Sequence, residues 1–220
     1  MTTAAARVGQ WAAGCAAVFS VTYVAAQVFE WAGWLGSEGG PNSSSTPFGI
    51  YVLLVPSLLL GPSFVITMAA LHAIVPKGRE VFTLAALAFA VMYATLTGLV
   101  YFVQTTFVAP RLAAGDTAGI ELLLFVPYQS FLFAIDLFGY SLMSLATLFA
   151  ALGLPDSRAS RSARLAMLAN GALMPFLAFQ MFVPELIWPA AAWAITFPAS
   201  AILLFRVFAQ SANIPSGELR

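Results

Sequence analysis

Charged residues are scarce in this chain: they make up 8% of its 220 residues, whereas 61% are hydrophobic. A soluble domain carries about 25% charged residues. The charged residues of this chain are therefore too few to cover the water-facing surface of a globule of this size. The formal net charge is zero, which leaves no excess of basic groups to bind a polyanion. The composition therefore excludes a soluble globular protein, a disordered chain and a nucleic-acid-binding protein, and it leaves a membrane protein.

The residue types that hold many cofactors are each present only once, as Cys15, His72 and Lys77. One cysteine can form neither an intrachain disulfide nor a cysteine-ligated metal cluster. One histidine argues against a b-type haem protein and a zinc protease. Lys77 lies in a predicted loop, whereas a retinal Schiff base needs a lysine deep in a helix. We therefore expect no cofactor and no metal site.

What the chain has in abundance is long apolar runs, and its mean hydropathy is +0.91. A helix needs about 20 apolar residues to cross a bilayer. Six runs meet this requirement and predict an all-α fold, a polytopic membrane helix bundle with six transmembrane helices. The whole chain, 1–220, is then a single transmembrane domain. The predicted spans are roughly 8–35, 48–75, 81–108, 119–154, 163–182 and 186–208.

The Lys and Arg residues predict how this bundle is oriented. All nine except Arg111 fall on one side of the six-span topology. Because positive charge marks the cytoplasmic side, we expect both termini to be cytoplasmic. The Ala-rich, Arg-over-Lys composition is typical of bacteria, so we expect a multipass protein of the cell membrane (inner or plasma membrane), with membrane lipids as partners. The cytoplasmic set is Arg7, Lys77, Arg79, Arg158, Arg161, Arg164, Arg206 and Arg220.

Three segments are predicted to depart from straight helices. The first outer loop, 36–47, is polar and rich in Gly and Ser, which predicts a flexible connection without packing contacts. Pro56 and Pro62 predict a kink or a break in the second span. Gly171 and Pro175, which follow Asn170, predict a loosened segment in the fifth span.

The fourth predicted span carries the deepest ionisable group, Asp136. If 119–154 is one helix, Asp136 lies ~22 Å from Glu121, near the middle of the hydrocarbon layer. It would share one helical stripe with Glu121, Gln129 and Tyr140. No Lys or Arg lies at its depth, so a dry, unpaired Asp136 should be neutral at pH 7. A mid-membrane carboxyl group is costly and is rarely kept for packing alone.

Two other spans carry polar stripes, which run through Tyr93, Thr97, Tyr101 and Gln104 in the third and through Ser20, Tyr23, Gln27 and Glu30 in the first. These stripes are richest toward the outer side, and lipid cannot satisfy them. We therefore expect them to face one another around a pocket that is wet outside and narrows toward Asp136. The alternative is a set of interhelical hydrogen bonds that holds the bundle together.

The candidate site follows from these stripes. The candidate catalytic residues are Asp136, Tyr101 and Tyr140. The candidate ligand-binding residues are Gln27, Glu30, Tyr93, Thr97, Gln104, Glu121, Tyr128, Gln129 and Gln180.

Three functions remain open from the sequence. The first is a pocket for a small apolar or amphipathic ligand, such as a lipid or isoprenoid, with acid catalysis by Asp136 in a membrane-embedded isomerase or cyclase. The second is a small proton-coupled transporter or permease subunit in which Asp136 carries the proton. The third is a structural or accessory membrane protein without a small ligand. The oligomeric state is not predicted.

Overall fold

The computed structural model describes residues 3–156, 158 and 160–212, and every regular element among them is helical. A π-helical segment lies at Gln104–Val108, and 3-10 turns lie at Glu121–Leu123 and Pro184–Leu186. The α-helices are α1 Thr3–Trp31, α2 Pro47–Ile74, α3 Glu80–Val103, α4 Ala109–Ala113, α5 Phe131–Gly153, α6 Arg161–Gly171, α7 Met174–Ala178, α8 Ile187–Ala190 and α9 Trp193–Ala212.

Five stretches of the described residues are long and apolar enough to cross a membrane: Ala4–Trp31, Pro47–Ile74, Glu80–Ala113, Phe131–Gly153 and Pro184–Ala212. The predicted fifth span, 163–182, is instead divided between α6 and α7, neither of which is long enough alone.

The division between α6 and α7 confirms the predicted loosening. Helix α6 ends at Gly171, and α7 has Pro175 in its first turn. A Cβ on Gly171 would lie 2.7 Å from Leu148 Cβ, so this glycine lets α6 approach α5 closely. Helix α2, in contrast, continues from Pro47 to Ile74 through Pro56 and Pro62, so the predicted break is absent there.

The prediction of one helix over 119–154 is wrong. Helix α5 begins only at Phe131, where the Ser130 hydroxyl caps it by accepting a 3.2 Å hydrogen bond from the Phe133 amide. Residues 119–130 form the 3-10 turn and an irregular connection instead. Asp136 therefore lies in the second turn of α5, roughly 8 Å along the axis from its start, and no continuous helix connects it to Glu121.

The third predicted span is longer than expected, since its helical path runs from Glu80 to Ala113. Within it, the Ala109 amide bonds the Gln104 carbonyl oxygen, five residues earlier. Pro110 has no amide hydrogen to give to Thr106, four residues before it, and the wider π turn absorbs this interruption of the ladder. The extra residue changes the helical register just where Gln104 lies.

The first loop does have packing contacts, contrary to the prediction for 36–47. The Thr46 hydroxyl donates to the Leu35 carbonyl oxygen at 2.7 Å, and the Gly40 amide donates to the Trp31 carbonyl oxygen at 2.9 Å. Gly39 has a φ of 78°, and a Cβ there would lie 2.8 Å from the Trp31 carbonyl oxygen. Only glycine fits this turn.

The described basic residues other than Arg111 gather at the end of the bundle away from this loop. There, Arg79 donates a 2.6 Å hydrogen bond to the Leu154 carbonyl oxygen, and Arg164 pairs with Asp156 at 3.5 Å. The start of α1 and the end of α9 meet at the same end, because Gly9 lies against the Phe208 ring. Arg220 lies outside the described residues.

Candidate functional site

A cavity of about 400 Å³ lies at the end of the bundle that carries the first loop. Three connections surround its opening: the first loop at 40–45, the irregular segment at 124–128, and residues 187–194 around the start of α9. Side chains of α1, α2 and α5 form its walls. Two of these connections, the first loop and the segment at 124–128, have structures that the sequence analysis did not predict, so the cavity could not be predicted in full either.

Three aromatic rings form the inner part of the cavity. The Tyr140 and Trp193 ring centroids are 5.3 Å apart, and those of Tyr23 and Trp193 are 5.7 Å apart, with both pairs nearly perpendicular. The Trp193 indole nitrogen donates to the Met143 sulfur at 3.3 Å, which fixes the orientation of its ring. Edge-to-face packing of this kind makes a rigid apolar wall.

Buried polar groups without hydrogen-bond partners line the same cavity. Both Glu30 carboxyl oxygens, the Asp136 Oδ1 and the Gln104 Oε1 are buried with no partner in the described part of the chain. Glu30 is 2% exposed and Asp136 is 6% exposed. Since most buried polar side-chain atoms have a partner, such a group needs an explanation, and here several share one space.

The two glutamines of the cavity are each held by one hydrogen bond. The Gln104 amide nitrogen donates to the Leu123 carbonyl oxygen at 2.6 Å, and the Gln180 amide nitrogen donates to the Tyr128 hydroxyl at 3.1 Å. Tyr128 has a φ of 60°, in the left-handed region that a bulky residue rarely adopts. The hydrogen bond to Gln180 holds the 124–128 segment at the cavity. A strained conformation such as that of Tyr128 persists only where the surrounding structure imposes it.

A short chain of hydroxyl groups leads inward from the cavity. The Tyr101 hydroxyl donates to the Tyr140 hydroxyl at 3.1 Å, and the Tyr140 and Ser57 hydroxyls are 3.5 Å apart. Tyr140 lines the cavity, whereas Tyr101 is buried behind it. The Asp136 Oδ1 is unpaired, but the Tyr101 side chain lies within hydrogen-bonding reach of the Asp136 carboxyl group, so the predicted orientation of Asp136 by a tyrosine stays a prediction.

The predicted site residues divide into two groups. One group lines the cavity: Gln27, Glu30, Gln104, Tyr128, Asp136, Tyr140 and Gln180. The other does not, and it comprises Tyr93, Thr97, Tyr101, Glu121 and Gln129.

The residues of the second group lie away from the cavity for different structural reasons. Thr97 donates to the Tyr93 carbonyl oxygen within α3, and the Tyr93 hydroxyl is buried without a partner. Glu121 and Gln129 are exposed in the connection before α5. Their predicted stripe with Asp136 was wrong because these residues do not belong to the same helix.

Several cavity residues were missed. Tyr23 was assigned to the first stripe but not to the site, and Trp193 was not considered. Ser43, in the loop predicted to lack contacts, lines the cavity and has a buried hydroxyl without a partner. The glycines of that loop and the capping residue Thr46 were signals that it folds back on the helices.

No Lys, Arg or His is among the described residues that line the cavity. Arg111, the basic residue nearest in the chain, instead pairs with Asp116 at 2.8 Å, and this hydrogen bond holds the pKa of the Asp116 carboxyl below its usual range. The described residues contain no group of three or more His, Cys, Asp or Glu side chains that could hold a metal ion. The ionisable groups of the cavity are therefore carboxyl and phenol groups.

No protein-family model, curated protein or solved structure matches this chain. The class of protein is consequently defined by the fold and the site alone. The five long apolar helices are compatible with an integral membrane protein, and their number suggests one that crosses the membrane several times.

Proposed function

We propose that this is an integral membrane protein whose cavity binds a small amphipathic molecule. The observation that carries the proposal is the shared cavity of Glu30, Gln104 and Asp136, whose buried oxygens have no partner. A buried polar group without a partner costs about 1–3 kcal/mol. A bound molecule that supplies the missing hydrogen bonds explains why a folded chain keeps several of them together.

The size and lining of the cavity support a small amphipathic ligand. Its volume of about 400 Å³ lies in the range of roughly 300–1,000 Å³ that small-molecule sites occupy. The wall of Tyr23, Tyr140 and Trp193 suits an apolar or aromatic body, and the unpaired oxygens suit a polar end.

The proposed orientation places the cavity at the outer face of the membrane. Arg111 is at the cavity end, whereas the other described Lys and Arg residues are at the opposite end, as in the positive-inside pattern. Both α5 and α9 begin at the cavity and run away from it, so the chain must return between them. Helices α6 and α7 provide that return and bring Leu177 to the cavity, which supports six crossings and two cytoplasmic termini in the cell membrane.

The binding proposal is tested by filling the cavity. Ala190 lines it and is 3% exposed, so Ala190→Trp should remove its free space. Ile195 is 75% exposed on the outside of α9, so Ile195→Trp is the matched control. We expect small molecules that co-purify with the wild type and the control, detected by mass spectrometry, to be lost from Ala190→Trp.

The outcome depends on folded protein, so each variant is first checked by its unfolding temperature. Ala194→Phe, at a half-buried position of the lining, replaces Ala190→Trp if the latter does not fold. Equal retention of the same molecules by filled and control variants would contradict a binding site in this cavity.

The finer version of the proposal is acid catalysis in a membrane-embedded isomerase or cyclase. Asp136 would be the proton donor to a ligand held against Tyr140, since both side chains line the cavity. Asp136→Asn keeps the shape of the side chain, so we expect the ligand still to bind while turnover is lost. Turnover by that variant would remove the catalytic version and leave binding in place.

A second candidate is a proton-coupled transporter, favoured by the hydroxyl chain from Tyr140 to Ser57 that leaves the cavity toward α2. It requires uptake into proteoliposomes that depends on a pH gradient. Tyr140→Phe should abolish that uptake, because it interrupts the chain. The third alternative, a structural protein without a ligand, expects Asp136 in a packed seam, and the cavity beside this residue counts against it.

A further inference from the structure

The unpaired groups of the cavity are almost all of one hydrogen-bonding kind. Glu30 contributes two acceptor oxygens, and Gln104 and Gln180 contribute one carbonyl oxygen each. The Gln104 amide cannot be reversed, because its nitrogen bonds the Leu123 carbonyl oxygen. The other unpaired groups of the described lining are the Ser43 hydroxyl, which can donate, and the Asp136 Oδ1, which can donate only when that carboxyl group is protonated. Because unpaired acceptor oxygens predominate in the cavity, a complementary ligand must carry hydrogen-bond donors.

Glu30 is the group of the cavity best placed to bind a cation, because both of its carboxyl oxygens are unpaired and a bound cation favours the ionised form of a carboxyl group. A Cβ on Gly49 would lie 2.9 Å from Glu30 Oε2, so the carboxyl group packs against the first turn of α2. The N-terminus of a helix attracts negative charge. The free donors of that turn do not satisfy Glu30, since Pro47 has no amide hydrogen and the Gly49 amide is bonded to Thr46. Both Glu30 carboxyl oxygens thus remain without a partner at the cavity.

None of the described lining residues is basic, so the lining supplies no positive group to pair with Glu30. We propose that the cavity recognises a protonated primary amine on an apolar or aromatic body, with Glu30 as the group that binds the ammonium. This inference rests on the proposed binding function and names its ligand class.

The geometry of α1 gives the approximate length of such a ligand. Glu30 and Tyr23 are on one stripe of α1 and both line the cavity. They are two helical turns apart, which is about 10 Å along the axis. An aromatic ring packed against Tyr23, Tyr140 and Trp193 would reach Glu30 through a linker of a few carbons. The electron-rich faces of these rings also tolerate a nearby cation.

An amine is favoured over the two other polar end groups. An anion would be repelled by Glu30 and would find no cation to pair with. A hydroxyl group can donate one hydrogen bond, but an ammonium donates three and also carries the opposite charge. A charged hydrogen bond adds about tenfold or more in affinity over a neutral one. The cavity should therefore rank amine above alcohol and alcohol above carboxylate.

The experiment uses three probes with the same phenylbutyl body: 4-phenylbutylamine, 4-phenylbutan-1-ol and 5-phenylpentanoate. Affinities are measured by calorimetry on the full chain in nanodiscs, with empty nanodiscs subtracted to remove partition into lipid. The variant Glu30→Gln removes the ionisable carboxyl group, and Glu38→Gln is the matched control, because Glu38 is exposed in the first loop and does not line the cavity.

We expect the wild type and Glu38→Gln to bind the amine about tenfold or more tightly than the alcohol, and Glu30→Gln to lose this preference while its affinity for the alcohol is unchanged. Equal affinity of the wild type for amine and alcohol overturns the amine assignment and leaves the proposed binding function intact. An equal loss of affinity for all three probes in Glu30→Gln likewise overturns the amine assignment. No binding of any probe overturns both. The wild-type ranking alone decides the question if Glu30→Gln does not fold.

Discussion

The Gln104 amide nitrogen donates a 2.6 Å hydrogen bond to the Leu123 carbonyl oxygen. This bond joins the π-helical segment after α3 to the irregular connection before α5. Leu124 and Phe125, which follow Leu123, line the cavity together with Gln104, whose side-chain oxygen is buried without a partner. A single side chain thus closes one wall of the site and contributes an acceptor to it.

The first prediction concerns this bond. Gln104→Leu should lower the free energy of unfolding by about 1–3 kcal/mol, because the Leu123 carbonyl oxygen would lose its donor in a partly buried place. Thr106→Val is the control, since the Thr106 hydroxyl is exposed and bonds only the Phe102 carbonyl oxygen of its own helix. Thermal or denaturant unfolding in detergent measures the difference. Equal effects of the two substitutions would show that the bond does not hold the connection.

The second prediction separates stability from binding at Asp136. Asp136→Leu removes a buried oxygen without a partner, and the cavity beside it has room for the new side chain. We expect the free energy of unfolding to rise by about 1 kcal/mol or more, while small-molecule binding falls. Tyr93→Phe is the control, because it removes an unpaired hydroxyl that does not line the cavity; it should stabilise the fold and leave binding unchanged. A destabilised Asp136→Leu would contradict the expectation that the unpaired Asp136 Oδ1 lowers the stability of the fold.

Hydropathy predicted where helices lie but not where the fourth one begins. Residues 122–126 are all apolar, so a hydropathy pattern includes them in a span with α5. The local signals of a helix start, Pro127 and the capping residue Ser130, were outweighed by that pattern. The error placed Asp136 in the middle of a long helix instead of in the second turn of α5, although its burial was anticipated.

The cavity itself was only partly predictable, for a different reason. Helical spacing correctly put Tyr23, Gln27 and Glu30 on one face of α1, because this periodicity is local. Contact of that face with Ser43 and Trp193 depends on how loops and α9 pack, which spacing within one helix does not determine. The change of register at Gln104 is likewise set by a π turn rather than by a regular helix.

The third prediction tests the contact between α3 and α5. A Cβ on Gly139 would lie 2.6 Å from Thr97 Cγ2, whereas a Cβ on Gly98 would meet nothing within 4 Å. Gly139→Ala should therefore destabilise the fold by roughly 1–3 kcal/mol through overpacking, and Gly98→Ala should be neutral or stabilising by about 0.5–1 kcal/mol. Adding Thr97→Ser to Gly139→Ala removes the clashing methyl group and should restore most of the loss. Unfolding temperatures measure all three, and a failure of this rescue would contradict the contact.

The fourth prediction tests the proposed orientation by labelling single cysteines in intact cells. Cys15 is exposed on the apolar surface of α1, so Cys15→Ala provides the background. Thr117→Cys lies in the exposed connection at the cavity end, and Lys77→Cys lies in the exposed loop at the basic end. A membrane-impermeant maleimide added outside the cells should label position 117 at once. It should label position 77 only after the membrane is permeabilised.

This pair of positions distinguishes the orientation from the number of crossings. If position 77 were labelled at once and position 117 only after permeabilisation, the protein would have the inverted orientation, with the cavity on the cytoplasmic side. This result would contradict the positive-inside argument. A third site, Ser211→Cys at the end of α9, tests the return of the chain through α6 and α7. With six crossings it should behave like position 77, because an even number of crossings puts the end of α9 on the side where α1 begins. With five crossings it should behave like position 117, and the interrupted pair α6 and α7 would then lie on one side of the membrane rather than across it.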